Sequence, residues 1–248
     1  MPSPRSGKSI PNQAPAKKKT VRVPAPARKA KFNPIGPERV QAILDRLAEH
    51  YPNAVCALQH KNAWELMVAT ILSAQCTDAR VNMVTPELFR RFPTPQAMAR
   101  ASQPELEELI RSTGFFRNKT KSLIGAAARL NEEFGGEVPQ TMEQLLTVPG
   151  VARKTSNVVL GSWYKIGVGV VVDTHVMRIS QRLELTKATA PEKIEHDLMQ
   201  IVPQPEWIDF SHRVIHFGRE ICIARKPRCA ECFLEDICRS KDKTWSTH

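Results

Sequence analysis

The sequence predicts an all-α protein, and three observations support that prediction. Apolar residues recur at helical spacing along most of the chain, capping signals precede several of these stretches, and strand-like sequence is scarce. The only β-like run, residues 168–172, is short and contains Gly169, so it cannot build a sheet. These features indicate helices packed on helices.

The predicted helices follow one another from Pro37, a residue that suits a first helical turn. The second helix should end near Gln75. The apolar positions of these two helices are Val40, Ile43, Leu44 and Leu47, then Trp64, Met67, Ile71 and Leu72. Capping boxes mark three later helix starts, at Ser102 with Glu105, Thr141 with Gln144, and Thr189 with Glu192.

Glycine and proline indicate where these helices break. Gly114 and the Gly135–Gly136 pair stand where helices should stop, because glycine readily adopts the left-handed conformation that ends a helix. Pro86 falls inside a helical pattern over residues 78–92, where its missing N–H should kink or split the helix.

The first 32 residues differ from the rest of the 248-residue chain. They hold nine of its 36 basic residues, six prolines and no acidic residue, so they lack the apolar content that would offset the entropy cost of ordering. We expect residues 1–32 to form a disordered basic tail. The remaining residues carry an excess of only two positive charges, so any basic surface on the folded part must be local.

Chain length and hydropathy limit the class of protein. The 216 residues after the tail can bury roughly 70% of their unfolded surface, enough for one large or two modest domains. No apolar stretch is long enough to span a bilayer, and the amino end lacks the apolar core of a secretory signal. We expect a cytoplasmic protein without a membrane partner, and a nuclear address in the basic tail stays an alternative.

Four of the six cysteines, Cys222, Cys229, Cys232 and Cys238, lie close together with six, two and five residues between them. Zinc modules usually pair two short knuckles, and here only the middle pair forms one. Four thiolates from one compact loop can instead wrap a cubane iron–sulfur cluster. Spacing alone favours the cluster over zinc and over two disulfide bridges, and both alternatives stay open.

Three cations, Arg225, Lys226 and Arg228, lie between the first two of these cysteines. A loop held at both ends by metal ligands would present them on a rigid finger, which loses little entropy when it contacts phosphates. The alternative is an ordinary solvated run of charges.

Residues 145–161 predict a short helix, a tight turn at Pro149–Gly150 and a second helix that starts almost at once. Such a turn presents backbone N–H groups at a helix amino terminus, which suits a phosphate. Lys154 falls in the first turn of the second helix, where the helix dipole disfavours an ammonium ion and so favours an amine nucleophile. Its alternative role is another phosphate contact.

Asp173 follows an apolar run and precedes a helix, which is the ordinary position of an amino-terminal cap. A carboxylate beside apolar residues and near a lysine is also what glycosidic-bond cleavage needs, because it stabilises positive charge at the sugar. The residues alone leave both interpretations open.

Four motifs occur in the order found in endonuclease III: residues 72–78 (LSAQCTD), 148–155 (VPGVARKT), 172–175 (VDTH), and the cysteine spacing. Over about residues 36–240 the sequence therefore resembles that family of helix-hairpin-helix DNA glycosylases. The resemblance implies a four-iron, four-sulfur (4Fe–4S) cluster held by the four cysteines. It also implies a monomer at the bacterial nucleoid that acts on double-stranded DNA containing damaged pyrimidines or abasic sites.

The resemblance further implies two helical domains with the active-site cleft between them. Residues 56–166 would form a six-helix domain with the helix-hairpin-helix, and residues 33–55 and 167–240 together would form the cluster domain. Residues 1–32 stay a tail, and residues 241–248 are expected to be a flexible carboxy terminus.

Roles for individual residues follow from motif position. Lys154 would be the nucleophile and Asp173 the catalytic carboxylate, Gln75 would fill the hole left by the flipped nucleotide, and Phe115 would wedge into the opposite strand. Further DNA contacts are implied at Gly150, Ala152, Arg153, Arg225, Lys226 and Arg228. The implied reaction excises an oxidised pyrimidine through a lysine Schiff base and nicks the strand 3′ to the abasic site by β-elimination.

Two positions depart from the family's pattern and leave lesion preference open. Ala152 replaces the second glycine of the usual hairpin, which matters if that position needs a positive φ. Phe115–Phe116 replaces a leucine followed by an aromatic residue, so a ring is available to stack on the opposite-strand base.

Two alternative functions stay open beside the bifunctional glycosylase and lyase. Adenine-removing enzymes of the same superfamily lack the hairpin lysine and usually have an extra carboxy-terminal domain, whereas Lys154 is present and ten residues follow Cys238. A non-catalytic helix-hairpin-helix DNA-binding protein with structural zinc would not need both Lys154 and Asp173. The sequence therefore favours the bifunctional enzyme.

Overall fold

The computed structural model describes residues 36–244, so the predicted basic tail over residues 1–32 lies outside the described part. All of the described helices belong to one compact unit. Within the described residues every regular element is helical and no strand occurs, which confirms the all-α prediction.

Eleven α-helices make up the described chain. In order they are α1 (Pro37–His50), α2 (Ala63–Leu72), α3 (Asp78–Arg91), α4 (Pro95–Ala99), α5 (Gln103–Ile110), α6 (Phe116–Glu133), α7 (Met142–Leu145), α8 (Arg153–Val158), α9 (Thr174–Arg182), α10 (Pro191–Ile201) and α11 (Trp207–Glu220). Short 3-10 turns lie at Arg111–Thr113, Gln204–Glu206 and Cys229–Glu231, and a π-turn at Val159–Trp163 continues α8.

The first two helices follow the sequence closely. All four predicted apolar positions of α1 are buried. Asn62 caps α2 by accepting the N–H of Glu65 at 2.8 Å, and every residue of α2 is buried. Because α2 is apolar around its whole circumference, it lies inside the protein rather than at its surface. It ends at Leu72, three residues before Gln75.

Three local predictions are wrong or incomplete. Pro86 lies inside α3 without splitting it, and burial of Val81, Thr85 and Leu88 offsets the backbone hydrogen bond that the proline removes. Thr189 does not cap α10; Ala190 takes that position because Pro191 occupies the first turn. Ser102 precedes α5 but its side chain makes no cap, whereas Thr141 accepts the N–H of Gln144 as predicted.

Two separate hydrophobic cores hold these helices together. The first core is built by residues between Leu58 and Leu160, with α2 at its centre. The second combines α1 with α9, α10 and α11 and extends to Leu234. Apolar burial of this extent supplies most of the stability of a helical protein, since helices of this length are marginal alone.

The segment between α8 and α9 passes from the first core to the second. Val168 packs against the first core, whereas Val170 and Val172 belong to the second. This separation agrees with the predicted division into residues 56–166 and residues 33–55 with 167–240. Because residues 36–244 cluster as one compact unit, the division stays a prediction.

Residues 241–244 make specific contacts, although the sequence assigns them to a flexible carboxy terminus. Lys243 Nζ donates to the Glu235 carbonyl at 2.8 Å, and Thr244 N donates to the Cys229 Sγ at 3.4 Å. The cysteine loop therefore packs against this segment. None of the described helices combines the length and apolar composition needed to cross a membrane.

Candidate active site and cluster site

Two neighbouring cavities lie where the two cores meet. We name them by the residue that distinguishes each: the His212 cavity, of about 620 Å³, and the Gln75 cavity, of about 1120 Å³. Their shared lining residues are Ser73, Asp78, Lys154, Asp173 and Arg219. The two residues predicted to carry catalysis therefore meet at one place, although they belong to different helices.

Lys154 is the second residue of α8 and is exposed. Its amine makes no hydrogen bond or ion pair with any other described residue. The positive end of the α8 dipole lies beneath it, as the sequence predicts. This arrangement leaves the Nζ atom available to a ligand that enters the cavities.

The turn before α8 depends on Gly150. Its φ is 77°, a left-handed conformation that residues with a Cβ rarely adopt. A Cβ at this position would also lie 2.5 Å from the Ser122 Cβ, so both the backbone and the available space exclude a larger residue. Ala152, by contrast, caps α8 with φ −103° and ψ 174°, which is extended backbone open to any residue. The replacement of glycine by Ala152 therefore causes no strain.

Asp173 is half-buried and caps α9. Its Oδ1 accepts the N–H groups of His175 and Val176, both at 2.8 Å. Its Oδ2 accepts no hydrogen bond within the described chain. Capping and catalysis are thus compatible, because one oxygen holds the carboxylate rigidly while the other stays available. Burial lowers the pKa of His175, and its Nδ1 lies 3.3 Å from Nη2 of Arg178, which agrees with a structural role.

Gln75 and Phe115 occupy two turns with the same unusual backbone. Gln75 has φ 53° and Phe115 has φ 48°, a left-handed conformation that is uncommon for residues other than glycine. Both side chains are exposed, Phe115 by 61%, so Phe115 is not part of a core. The next residue, Phe116, packs against the first core. Strained residues of this kind often occur at binding sites.

Arg153 is bound within the protein. Its guanidinium donates to both oxygens of Glu195, at 2.7 and 3.0 Å, and the Glu195 side chain is only 7% exposed. This hydrogen bonding raises the pKa of Arg153. Asn157 donates to the same carboxylate at 2.9 Å. In the free protein the Arg153 side chain therefore forms an ion pair between α8 and α10, and its DNA contact stays a prediction.

The finger between Cys222 and Cys229 carries two free cations rather than three. Arg225 and Lys226 are exposed and have no ion pair within the described residues. Arg228 instead pairs with Glu231. Arg182, from α9, donates to the carbonyls of Ile223 and Ala224 at 2.7 and 3.1 Å. These bonds hold the base of the finger.

The four clustered cysteines line a single cavity of about 430 Å³. All are half-buried, and among the described residues none forms a disulfide, which removes the disulfide alternative. Burial raises the pKa of Cys222, and that of Cys232 to about 11. Thiols this difficult to ionise need a nearby cation or metal to become thiolates.

The geometry of the cysteines fits a cluster better than a single ion. Four sulfurs around one zinc would lie roughly 4 Å from one another. Within residues 36–244 no three Cys, His, Asp or Glu side chains approach closely enough to hold one metal ion. A cubane cluster takes one sulfur ligand per iron, and the four cysteines that line this one cavity supply that number. Arg182 Nη1 lies 3.4 Å from the Cys222 Sγ, so its positive charge offsets part of the negative charge of the Cys222 thiolate.

Sequence reasoning missed one pair of residues at the cleft. Asp78, at the start of α3, pairs with Arg219 of α11 at 2.5 Å, so this ion pair joins elements of the two cores. Both residues line both cavities. Asp78 ends the LSAQCTD motif, whereas nothing local indicated a partner 141 residues away.

Known DNA repair proteins match this chain in sequence. Residues 68–204 match the model of the HhH-GPD superfamily of base excision DNA repair proteins, and residues 222–238 match the iron–sulfur binding domain of endonuclease III. Endonuclease III of Synechocystis sp. is 58% identical over 203 residues, which cover 82% of this chain and 93% of that protein. Endonuclease III of Bacillus subtilis is 41% identical over 207 residues, which cover 83% and 94% respectively.

Solved structures agree with these sequence matches. A non-covalent endonuclease III–DNA complex is 41% identical and superposes with a TM-score of 0.79, covering 83% of this chain and 96% of that chain. A trapped endonuclease III–DNA covalent intermediate matches with the same values.

Proposed function

This chain belongs to the endonuclease III family, and from that membership we propose that Lys154 and Asp173 perform its reaction. The protein is a base excision repair DNA glycosylase with lyase activity at abasic sites, and it holds a 4Fe–4S cluster. One observation supports the assignment above all others. Lys154 and the carboxylate of Asp173, from α8 and α9, line the same two cavities between the cores.

The proposed reaction begins with the extruded nucleotide in these cavities. The neutral amine of Lys154 attacks C1′ of the deoxyribose, and the bond from C1′ to the base breaks with its electron pair leaving on the base. The free Oδ2 of Asp173 stabilises positive charge at the sugar, while the bonds to Oδ1 prevent the carboxylate from turning away. A proton returned to the base completes its release.

Strand cleavage follows on the same lysine. Loss of water or ring opening leaves C1′ as an imine of Lys154, and this imine acidifies the proton on C2′. Removal of that proton expels the 3′ phosphate by β-elimination. Hydrolysis of the imine then returns the free amine.

We propose that the substrate is double-stranded DNA with an oxidised pyrimidine or an abasic site. Gln75 lines the Gln75 cavity and is available to replace the flipped nucleotide, while exposed Phe115 is available to stack on the opposite strand. The N–H groups of Gly150 and Ala152, at the start of α8, suit a DNA phosphate. Arg225 and Lys226 suit further phosphates.

Cys222, Cys229, Cys232 and Cys238 would bind the cluster, which when bound would hold together the loop that follows α11. No step of the reaction is assigned to it. The cysteines close the finger at both ends, and Arg182 holds the finger from a third side. We propose further that the protein works as a monomer, in the cytoplasm at the nucleoid, and that residues 56–166 and the flanking segments 33–55 and 167–240 are its two domains.

Reductive trapping tests the assignment of the nucleophile. Borohydride added during turnover should link wild-type protein covalently to DNA, and Lys154→Gln should lose that adduct while still binding the damaged duplex. Lys193→Gln, which changes an exposed lysine of α10 away from the cavities, is the matched control and should trap normally. Persistent trapping by Lys154→Gln would assign the chemistry to another amine.

Asp173→Asn tests the carboxylate. It should keep the α9 cap, because asparagine also caps helices, yet slow base excision by about 100-fold, since its side chain carries no charge. Nicking at a preformed abasic site should slow less. Excision near the wild-type rate would show that Asp173 only caps α9. A panel of duplexes, each with one lesion, measured for base release and for nicking, tests the proposed preference for oxidised pyrimidines.

A further inference from the structure

Lys119 is a buried lysine whose hydrogen-bond partners are backbone carbonyls. It lies near the start of α6, is 5% exposed, and forms no ion pair within the described part of the chain. Its ammonium instead donates to two backbone carbonyls, those of Leu72 and Thr113, each at 2.8 Å. Burying a charged group is unfavourable unless the group is well hydrogen-bonded, so a lysine at this core position costs more free energy of folding than an apolar residue would.

The two carbonyls belong to the two turns that carry the exposed side chains Gln75 and Phe115. Leu72 is the last residue of α2 and lies three residues before Gln75, while Thr113 lies two residues before Phe115. The backbone N–H of Lys119 also donates to the Phe115 carbonyl, at 3.1 Å. A single residue therefore binds both turns.

The hydrogen bond from Lys119 to the Leu72 carbonyl is electrostatically favourable. The Leu72 carbonyl is one of the unsatisfied acceptors at the carboxy terminus of α2, where the helix dipole is negative and attracts a cation. A lysine reaching from α6 to this point joins two helices whose contact residues are 47 positions apart. Local sequence does not require such a link.

The turns themselves need external support. Left-handed backbone at Gln75 and Phe115 is strained, and it persists only when the surroundings hold it in place. The Phe115 side chain is exposed, and so is that of Gln75, so neither anchors its own turn through core packing. Lys119 contacts the backbone adjacent to both.

We propose that Lys119 is a positioning residue that sets the spacing of the Gln75 and Phe115 turns, so that both side chains enter the duplex together. This inference rests on the proposed DNA roles of Gln75 and Phe115. Lys119 contacts neither the DNA nor the reacting atoms. It acts by keeping two strained turns in the arrangement that an opened duplex requires, before the duplex binds.

The test compares Lys119→Met with a variant that only weakens the same helix. Methionine keeps a long unbranched side chain and removes the donors. Leu130→Ala, in the core at the far end of α6, should lower the thermal midpoint as well but touches neither turn. Both holoproteins should retain the full iron content, and Lys119→Arg, which keeps a cation with several donors, should recover part of any loss.

Two rates separate positioning from stability. Fluorescence of 2-aminopurine beside the lesion reports unstacking, and β-elimination from an abasic site in single-stranded DNA needs no wedge. Lys119→Met should slow unstacking and duplex base excision about tenfold, with single-strand β-elimination within twofold of wild type. Leu130→Ala should leave both rates unchanged below its melting temperature. The proposal would be overturned if Lys119→Met slowed duplex base excision and single-strand β-elimination equally. It would also be overturned if Lys119→Met left the rate of unstacking at the wild-type value.

A double-mutant cycle separates this proposal from the one it rests on. In a Gln75→Ala, Phe115→Ala background, Lys119→Met should slow unstacking by less than twofold, because its effect acts through those side chains. If Gln75→Ala and Phe115→Ala alone leave unstacking unchanged, their proposed DNA roles are wrong. If those two slow unstacking and Lys119→Met does not, only the role of Lys119 is wrong.

Discussion

The hairpin formed by α7, the turn at Gly150 and α8 carries two neighbouring cations, and so does the finger between Cys222 and Cys229, but their environments differ. In the hairpin, Arg153 is locked to a carboxylate that is 7% exposed, while Lys154 beside it faces the cavities unpaired. In the finger, Arg228 pairs with Glu231 at the surface, with side chains 49% and 60% exposed. Similar charge patterns therefore acquire different roles through the burial of their partners.

The largest expected difference between the two regions is the loss of stability when Glu195 or Glu231 is removed. Glu195→Ala leaves Arg153 and Asn157 without their acceptor and should lower the stability by about 2–3 kcal/mol, because buried Asn157 loses its partner, whereas half-exposed Arg153 is partly rehydrated. Glu231→Ala should cost less than about 1 kcal/mol, because surface pairs contribute little. Urea unfolding of both holoproteins measures the effect, and similar losses would refute the distinction.

Gly150→Ala should destabilise the hairpin by about 2 kcal/mol, since it adds a Cβ in left-handed backbone and against Ser122. Ala152→Gly, two residues later, is the matched control and should cost under about 1 kcal/mol, because that position is extended. Adding Ser122→Gly to Gly150→Ala should recover only the part caused by the clash. Full recovery would mean that the backbone at residue 150 is not strained.

The pH dependence of stability should report on the contact between α11 and the π-turn that continues α8. His212 Nε2 lies 3.1 Å from Ser162 Oγ in the π-turn that continues α8, and burial lowers the pKa of His212 to about 4. An unfolded histidine has a pKa of about 6.5, so between those values the unfolded chain binds a proton that the native protein does not. Stability is therefore complete above about pH 6.5 and is lost as the pH falls towards 4, by on the order of 1–2 kcal/mol.

The check on His212 uses the urea midpoint at about pH 7.5 and at about pH 5.0. The midpoint should fall further for wild-type protein than for His212→Gln, which cannot take up the proton. The same pH dependence in both proteins would place the responsible group elsewhere.

The smallest expected effect concerns the finger. Arg225→Ala and Lys226→Ala should each reduce the slope of log binding constant against log salt by about 0.9, because each cation releases counterions from DNA. Arg228→Ala should change the slope less, since Glu231 already neutralises it. Equal changes for all three variants would show that DNA displaces Glu231, so that the finger offers three cations after all.

Prediction from the sequence succeeded where neighbouring residues decide the structure. The apolar positions of α1, the tight turn at Gly150 and the place of Lys154 in the first turn of α8 all follow from spacing. At Pro86 the helix is not split, because packing of the helix outweighs the local rule against proline. The cap of α9 was anticipated, but only the structure showed that Asp173 uses one oxygen for it.

The sequence by itself determined the helices, the cysteine spacing and the motifs that carry the chemistry, because these depend on residues within a few positions of each other. Tertiary structure alone decided which charged groups are available. Arg153 is bound by Glu195, 42 residues away, and Lys119 holds a carbonyl 47 residues away. Such contacts depend on how two helices pack, and packing is set by the complete core rather than by any local pattern.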